Sequence, residues 1–342
     1  MTGIIDRVDE PATREFVWHE LAGRVLHGHQ LTRDEALTVL QSPDEDLLDL
    51  LAAAYKIRRK YFGNTVQLYF LMNAKSGLCP EDCAYCSQSK ISTAEIPRYN
   101  LLDREKLLDG ARVAYERGSA TYCIVISARG PNEREIATVE EIVPEIKSRY
   151  KMNICACLGL LTPEQAQRLA ACGVDQVNHN LNTSREHYRQ ICSTHDYEER
   201  LATLHAVRDA GMKICAGGIL GMGERPEDLV GMAFELRELA AEMIPVNFLN
   251  PITGTPLAGT SYLNPRSCLR ALAMFRFVNP SAELRIAGGR EMHLGSMQCL
   301  GLYAANSMFV GDYLTTSGQA PEADYRMIQD MGFVIVRNGE VV

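Results

Sequence analysis

The sequence predicts an α/β protein built as a (β/α)8 barrel of the TIM type, with an N-terminal helical extension. Short β-rich segments alternate with amphipathic helical segments, and the junctions repeat as helix, glycine and short strand. The alternating part runs from Val66 to Thr316, which is close to the ~250 residues typical of such a barrel. A doubly wound sheet fits less well, because an early glycine-rich nucleotide turn is missing from the sequence.

The first part of the chain predicts helices. Thr32 is followed three residues later by Glu35, which is the pattern of a capping box. Ser42 as N-cap, followed by Pro43 in the first helical position, predicts the start of a further helix. There is no obvious linker after these helices. The predicted division is residues 1–62 for the helical extension and residues 63–342 for the barrel domain.

Eight strands are predicted in the alternating part, and a helical pattern follows each of them. Three junctions carry a glycine, Gly118, Gly173 or Gly211, that fits the left-handed C-cap of the preceding helix. The predicted strands are residues 66–72, 121–126, 153–158, 175–180, 213–219, 245–249, 284–287 and 307–310.

Composition and charge exclude several classes of protein. A net charge of -8 argues against binding to nucleic acid, because that requires a basic surface. The N-terminal sequence lacks the pattern of a signal peptide, and no segment approaches the ~18 apolar residues of a membrane span. We therefore expect a cytoplasmic protein with no membrane partner. In that reducing compartment, 11 cysteines indicate metal binding or catalysis more than disulfides.

The densest group of cysteines lies in GLCPEDCAYCSQSK, residues 77–90, and contains Cys79, Cys83 and Cys86. Zinc sites favour paired C-x2-C modules and four ligands, and this spacing is C-x3-C-x2-C with no second pair nearby. Ferredoxin-type runs end with a fourth cysteine, which is missing here. Three thiolates would hold three irons of a 4Fe-4S cluster and leave the fourth iron open. An iron without a protein ligand can bind an outside molecule, which predicts that the cluster takes part in a reaction.

Thiols and polar side chains also fall near the ends of the predicted strands, where barrel enzymes place their chemistry. Strand alternation puts Cys155 and Cys157 on the same face, so it cannot choose between them. Arg285 lies between two apolar residues, so its guanidinium is expected to point into the barrel, where an unpaired cation is costly. The residues at these ends are Cys123, Cys155, Asn178, Asn180, Cys215, Asn247 and Arg285.

Each of these residues also has a structural interpretation. The asparagines need hydrogen-bond partners in any case, and an inward arginine is commonly part of a salt bridge. A lone buried cysteine usually behaves as a small apolar side chain. We assign that role to the cysteines that lie in helical or loop segments without matching partners, which are Cys172, Cys192, Cys268 and Cys299.

The triplet, with aromatic Tyr85 just before its last cysteine and a strand in front, resembles the radical S-adenosylmethionine (SAM) superfamily. Further motifs are similar, in the expected order, to those of the biotin synthase family within it. These motifs are CPEDCAYCSQS, VNHNLNTS, ICAGGILGMGE, GTPLA, RIAGGRE and YLTTSG.

The resemblance implies a role for each matching residue. The ligands of the 4Fe-4S cluster are Cys79, Cys83 and Cys86, and those of a second, 2Fe-2S cluster are Cys123, Cys155, Cys215 and Arg285. The SAM contacts are Tyr85, Asn182, Arg200 and Ile219, and the dethiobiotin contacts are Asn180, Asn247, Thr315 and Thr316. Asn182 departs from the family pattern, since an aspartate commonly contacts the SAM ribose there. An amide still bonds a hydroxyl, so the difference concerns the strength of that contact.

The implied activity is that of a sulfurtransferase, which inserts sulfur between C6 and C9 of dethiobiotin to form biotin. The C–H bonds at these carbons are unactivated, so the hard step belongs to a cofactor radical. In the family, 5′-deoxyadenosyl radicals from SAM abstract the hydrogens, first at C9 and then at C6. The 2Fe-2S cluster is consumed as the sulfur donor. An electron donor such as flavodoxin and iron–sulfur assembly machinery are implied, and we expect a homodimer.

Two alternatives stay open. Another radical SAM barrel enzyme, of the hydrogenase-maturation or methylornithine-forming type, would share the cysteine triplet but not the second ligand set. A non-catalytic iron–sulfur sensor or scaffold would need a cluster without a substrate pocket, and the asparagines and the Thr315–Thr316 pair argue against it.

Overall fold

A computed structural model describes residues 17–342, and eight parallel strands within it close into a barrel. The order around the barrel is β1-β2-β3-β4-β5-β7-β8-β9, and β9 returns to pair with β1. The predicted (β/α)8 fold is confirmed. The strands are β1 (Thr65–Lys75), β2 (Thr121–Ile126), β3 (Asn153–Cys157), β4 (Gln176–Asn178), β5 (Lys213–Cys215), β6 (Gly218–Leu220), β7 (Met243–Phe248), β8 (Glu283–Ile286) and β9 (Ser307–Phe309).

One predicted strand, 213–219, is interrupted. β5 ends at Cys215, and the separate β6 pairs with the second half of β7. Gly217 lies in the gap, and a Cβ at that position would be 1.9 Å from the backbone oxygen of Pro245 in β7. Glycine therefore permits a close approach of the two backbones at the point where regular pairing breaks.

Helices surround the barrel and also precede it. Gly118, Gly173 and Gly211 have φ angles of 72°, 100° and 81°, so the predicted left-handed caps are confirmed. Between residues 17 and 342, no helix is both long and apolar enough to cross a bilayer. The helices are α1 (Val17–Leu26), α2 (Arg33–Leu40), α3 (Leu47–Phe62), α4 (Arg104–Glu116), α5 (Glu133–Arg149), α6 (Pro163–Ala171), α7 (Tyr188–Ile191), α8 (Tyr197–Asp209), α9 (Pro226–Glu238), α10 (Pro265–Val278), α11 (Arg290–Leu294) and α12 (Pro321–Asp330).

The predicted helix starts before the barrel have different outcomes. The capping box of Thr32 and Glu35 is present at the start of α2. The start predicted at Ser42 and Pro43 is wrong, because Pro43 has an extended backbone and a 3-10 turn separates it from α3. That helix begins only at Leu47, the first residue of its buried apolar face. Residues 1–16 of the predicted extension lie outside the described residues.

Two short strands at the C-terminal end of the sequence were not predicted. β10 (Val334–Arg337) pairs in parallel with the first three residues of β1, and β11 (Glu340–Val341) pairs antiparallel with β10.

The apolar core has two layers, because successive residues of each strand point to opposite faces. The outer layer, between strands and helices, includes Leu284 and Ile286 on either side of Arg285. The inner layer fills the barrel itself. Its buried members are Tyr69, Cys123, Val125, Cys155, Ala287 and Phe309. The inward direction predicted for Arg285 is confirmed by its position over the ring of Tyr69.

Two buried arginines donate hydrogen bonds to backbone carbonyls at the end of the barrel where the strands begin. Arg58 of α3 donates to the carbonyl of Thr65 at 2.7 Å and to that of Ala305 at 3.0 Å. Thr65 is the first residue of β1, and Ala305 lies two residues before β9. Arg276 of α10 donates to the carbonyl of Ala282 at 2.7 Å, just before β8. Burial lowers the pKa of Arg58 to about 10 and that of Arg276 to about 9.

Candidate active site

A cavity of about 310 Å³, here called the mouth cavity, opens at the carboxyl ends of the barrel strands. Barrel enzymes place their active sites at this end. Many of the predicted site residues line it. They are Cys79, Cys83, Tyr85, Cys86, Asn178, Asn180, Asn182, Arg200, Ile219 and Asn247.

The loop that carries the cysteine triplet, residues 77–90, is held in place by its own backbone and by a neighbouring segment. The Gly77 N–H donates to Gln88 Oε1 at 3.0 Å, and the Ala84 N–H donates to the carbonyl of Ile191 at 2.8 Å. Burial raises the pKa of Cys86 to about 11 and also raises that of Cys79. These thiols therefore stay protonated until a metal displaces their protons.

Cys192 lies against the triplet, so the prediction that it is an isolated apolar side chain is wrong. Its Sγ is 3.8 Å from Cys83 Sγ and 3.2 Å from His195 Nδ1. The cause is the C-terminal end of α7, which lies against the triplet loop through the hydrogen bond from the Ala84 N–H to the Ile191 carbonyl. The hydrogen bond from Cys83 lowers the pKa of Cys192 to about 4. The C-x2-H spacing of Cys192 and His195 was the one sequence signal of this arrangement.

The residues predicted to contact SAM share one wall of the mouth cavity. Asn182 Nδ2 donates to Tyr85 Oη at 2.6 Å, and the Asn182 carbonyl accepts from the Ile219 N–H at 2.8 Å. Buried Arg200 donates to the carbonyl of Asn180 at 2.7 Å. Asn182 has a φ of 69°, in the left-handed region that asparagine and aspartate occupy more readily than other non-glycine residues. The backbone at this position therefore suits an asparagine or an aspartate better than other non-glycine residues.

A second cavity of about 230 Å³, the side cavity, adjoins the first, and Tyr85, Ile219 and Asn247 line both. It also contains the predicted substrate residues Thr315 and Thr316. Asn247 is fixed by two backbone partners. Its Nδ2 donates to the Gly218 carbonyl and its Oδ1 accepts from the Gly288 N–H, each at 3.0 Å.

Asn180 is held in a similar way at the mouth. Its Oδ1 accepts from Asn178 Nδ2 at 3.0 Å and from the Gly217 N–H at 3.1 Å. An asparagine side chain has two donors and two acceptor lone pairs, so the amide group of Asn180 keeps its donors for a ligand. The predicted substrate residues thus face two adjoining cavities.

Three thiols meet inside the barrel, below the mouth cavity. Cys123 of β2 and Cys155 of β3 are direct neighbours in register, and Cys155 also interacts with Cys215 of β5. These barrel thiols, Cys123, Cys155 and Cys215, are 3%, 0% and 0% exposed. Interaction with Cys123 and burial raise the pKa of Cys155 well above its ordinary value, and interaction with Cys155 does the same for Cys215. The predicted convergence of thiols from three strands is present in the structure.

The structure separates Cys155 from Cys157, which strand alternation did not. Cys157 lies two residues nearer the carboxyl end of β3 and lines the mouth cavity. Its Sγ donates to Asn178 Oδ1 at 3.4 Å. Cys155, by contrast, has side-chain interactions with both Cys123 and Cys215.

Comparison with known proteins identifies the family. A model of the radical SAM superfamily matches residues 75–236, and a model of the Biotin and Thiamin Synthesis associated domain matches residues 245–334. The chain is 64% identical over 320 residues to a biotin synthase of Rhodopirellula baltica, covering 94% of this chain and 89% of the relative. It is 56% identical to a biotin synthase of Anoxybacillus flavithermus, covering 93% and 97%. The chain belongs to the biotin synthase family.

Solved structures support the fold of this biotin synthase family member. A methylornithine synthase matches with a TM-score of 0.81 and 21% identity, covering 93% of this chain and 97% of that one. An FeFe-hydrogenase maturase from Carboxydothermus hydrogenoformans matches with a TM-score of 0.79 and 19% identity, covering 93% and 79%. At these identities the likeness extends to the barrel alone. The chain is an enzyme that inserts sulfur, a sulfurtransferase, and neither the sensor nor the other radical SAM alternatives are supported.

Membership of the biotin synthase family implies a 4Fe-4S cluster and SAM. The residues present fit both groups. Cys79, Cys83 and Cys86 all line the mouth cavity, so an iron without a protein ligand would face this cavity. Arg200 offers a buried guanidinium on the same cavity, which suits the carboxylate of a bound SAM.

Arg285, the fourth residue predicted to bind the 2Fe-2S cluster, forms an ion pair with Glu283 in this structure. Its Nη2 donates to Glu283 Oε1 at 2.9 Å, and its Nη1 lies 3.7 Å from Cys215 Sγ. The guanidinium carbon lies 3.2 Å from the ring centroid of Tyr69. Its Nε is buried without a hydrogen-bond partner among the described residues. The side chain therefore reaches the barrel thiols while one buried donor stays unsatisfied.

Proposed function

We propose that the enzyme forms biotin by inserting sulfur between C6 and C9 of dethiobiotin. The observation that carries this proposal is the pair of thiol sets in one barrel, with asparagine-lined cavities beside the upper set. When bound, SAM and the two clusters supply 5′-deoxyadenosyl radicals to remove hydrogen at C9 and C6, and a sulfide to become the ring sulfur. The protein's task is to hold these groups and the substrate in a fixed order.

At the mouth, Cys79, Cys83 and Cys86 would bind the 4Fe-4S cluster. Arg200 would pair with the SAM carboxylate, and Tyr85, Asn182 and Ile219 would contact the nucleoside. This division is supported by their shared wall, where Asn182 bonds to both Tyr85 and Ile219. The bonds that connect these residues hold the cavity wall in one arrangement before SAM binds, which lowers the entropic cost of binding.

Dethiobiotin would lie between the mouth and the barrel thiols. Asn180 and Asn247 would bond its ureido ring, because amides match both the donors and the acceptors of a urea. Thr315 and Thr316 would hold its carboxylate tail at the side cavity, where Thr315 Oγ1 lies 2.8 Å from Ser87 Oγ. Backbone bonds fix Asn247 in place, so the substrate carbons would be oriented without movement of that side chain.

In the barrel, Cys123, Cys155, Cys215 and Arg285 would hold the 2Fe-2S cluster. Arginine normally offers only donors, so a nitrogen that binds the metal would have to give up a proton to a nearby base. Glu283 is within hydrogen-bond distance of that guanidinium and would accept the proton. Because the ring sulfur comes from this cluster, the proposal includes iron–sulfur assembly machinery to rebuild it and an electron donor such as flavodoxin. It also includes a homodimer in the cytoplasm.

The test is anaerobic reconstitution with iron and sulfide, followed by Mössbauer counting of cluster types and an assay for biotin formed from dethiobiotin. We expect two cluster types per chain and biotin as the product. Cys86→Ala should lose SAM cleavage and keep the 2Fe-2S spectrum, because the barrel thiols do not depend on the triplet loop. SAM cleavage by that variant would refute the assignment of Cys86, and loss of both signals would indicate misfolding. A fully loaded enzyme that makes no biotin would refute the proposal.

A further inference from the structure

Three buried side chains with metal-binding atoms meet beside the triplet loop. They are Cys83, Cys192 and His195, which are 8%, 4% and 6% exposed. One ligand atom from each lies within 4.8 Å of the other two. Only Cys83 has a role in the proposed function, so Cys192 and His195 form an arrangement that the biotin-forming reaction does not use.

We propose that the cluster-free chain binds a single zinc or ferrous ion through Cys83, Cys192 and His195. Two thiolates and one imidazole suit borderline-soft divalent metals, which favour tetrahedral sites. In a tetrahedron with metal–sulfur bonds of ~2.3 Å, two sulfur ligands are ~3.8 Å apart. The observed Sγ–Sγ distance of Cys83 and Cys192 is 3.8 Å. The two thiols therefore already have the separation that such a metal requires.

The surroundings of His195 fix which nitrogen faces the ion. Its Nδ1 lies 2.5 Å from Glu81 Oε2 and 3.2 Å from Cys192 Sγ, and its Nε2 lies 3.9 Å from Cys192 Sγ. A metal-binding histidine commonly donates its second ring N–H to a carboxylate, which orients the ring. With Nδ1–H donating to Glu81, the lone pair of Nε2 is left for the metal. Asp82 Oδ1, 3.3 Å from Cys192 Sγ, is a neighbouring oxygen for the fourth position.

Binding requires one rearrangement, since Arg200 Nη2 donates to His195 Nε2 at 2.9 Å in this structure. Arg200 keeps three further partners when that bond breaks, the carbonyl of Asn180, the hydroxyl of Tyr188 and Nε2 of His179. The two thiolates neutralise the charge of a divalent ion, so Arg200 is not left beside a net positive site. The rearrangement thus costs one hydrogen bond of a side chain that retains others.

The ion and the 4Fe-4S cluster would exclude each other, because both use Cys83. The proposed site is therefore a property of the chain before cluster assembly. It goes beyond the proposed function and needs neither SAM nor dethiobiotin. A metal-binding experiment on the cluster-free chain and an assay for biotin on the loaded enzyme can therefore fail independently.

The test is an anaerobic titration of the cluster-free full chain with cobalt(II), which reports tetrahedral thiolate coordination by its absorption. Thiols outside this site would also bind cobalt, so the result is read as a difference between variants. We expect Cys192→Ser to lose roughly half of the sulfur-to-cobalt absorption of this site, because one of two thiolates is removed. His195→Gln should weaken binding and leave the sulfur absorption in place. Zinc should displace the cobalt.

Matched controls separate this site from the triplet. Cys79→Ser removes a cysteine of the same loop but not of the proposed site, and Cys299→Ser removes a partly exposed cysteine elsewhere. Cys299→Ser should bind cobalt like the unmodified chain, and Cys79→Ser should keep the sulfur-to-cobalt absorption that Cys192→Ser loses. Loss of the signal in Cys79→Ser together with its retention in Cys192→Ser would place the ion on the triplet and overturn the proposal. If Cys192→Ser does not fold, as judged by circular dichroism, His195→Gln decides, and unchanged affinity there overturns the proposal.

Discussion

Replacing Arg285 by methionine removes the cation that pairs with Glu283 inside the barrel. Arg285 is 1% exposed and Glu283 is 8% exposed. Breaking a buried ion pair by removing one partner costs ~3–5 kcal/mol, because the other charge stays buried. Methionine fills a similar length without charge, so little of the loss comes from an empty cavity. We expect Arg285→Met to lower the free energy of unfolding of the cluster-free chain by about 3–5 kcal/mol.

The second substitution in this test is Glu283→Gln, which removes the stranded charge. An amide at this position still accepts the hydrogen bond that Gln67 Nε2 donates to Glu283 at 3.2 Å. The double variant should therefore recover most of the stability that Arg285→Met loses. Anaerobic urea unfolding, followed by circular dichroism, measures all four members of the cycle, and residues in contact are expected to couple by ~0.5–3 kcal/mol.

Two results would refute this reasoning. The first is a free energy of unfolding for Arg285→Met within about 1 kcal/mol of that of the unmodified chain, because this loss is smaller than the range for an unpaired buried charge. Alternatively, the double variant could be no more stable than Arg285→Met, which would mean that Glu283 is not the group left unpaired. A spectroscopic readout follows the same variant. Three thiolates remain after the substitution, so reconstituted Arg285→Met should still show a 2Fe-2S spectrum, but with altered cluster stability.

Two further predictions follow from contacts in the barrel. Cys155→Ala should abolish the 2Fe-2S absorption after anaerobic reconstitution, and Cys157→Ala should leave it largely intact, because Cys155 has side-chain interactions with Cys123 and Cys215 whereas Cys157 donates its hydrogen bond to Asn178. The reverse result would reassign the cluster ligand from Cys155 to Cys157. Gly217→Ala should lower the melting temperature, because its Cβ would lie 1.9 Å from the Pro245 oxygen and overpacking costs ~1–3 kcal/mol. Gly23→Ala, in a helix with open space, is the control, and equal melting temperatures would contradict the prediction.

The barrel was predictable because its signals are local. Alternating segments and glycine caps such as Gly118 depend on neighbours in the sequence, and the structure confirms them. The break at Gly217 was not predictable in this way, since it depends on the backbone of Pro245 in another strand. β10 was missed for a similar reason. Three of its four residues pair with β1, which lies more than 250 residues earlier in the sequence, and so short a segment carries little periodicity.

The candidate site shows the same limit. The spacing of the triplet was sufficient to predict a metal site, and the motif resemblance supplied the rest of the ligand set. Alternation could not distinguish Cys155 from Cys157, because both face inward and only their depth differs. Cys192 was misjudged because its partner Cys83 is 109 residues away in the sequence. Proximity of this kind arises from loop packing, which hydrophobic periodicity does not encode.

The bond from Arg58 to Ala305 has a consequence for the order of events during synthesis. These residues are 247 positions apart, and the strands beside them, β1 and β9, are the first and last of the barrel. Contacts between distant parts of a chain form late, because the closing of a long loop costs entropy before any contact forms. Chains fold from their N-terminal part as they emerge from the ribosome. All six cysteines proposed as cluster ligands precede Ala305. The nascent chain therefore exposes these thiols before the last strand is available to close the barrel around them.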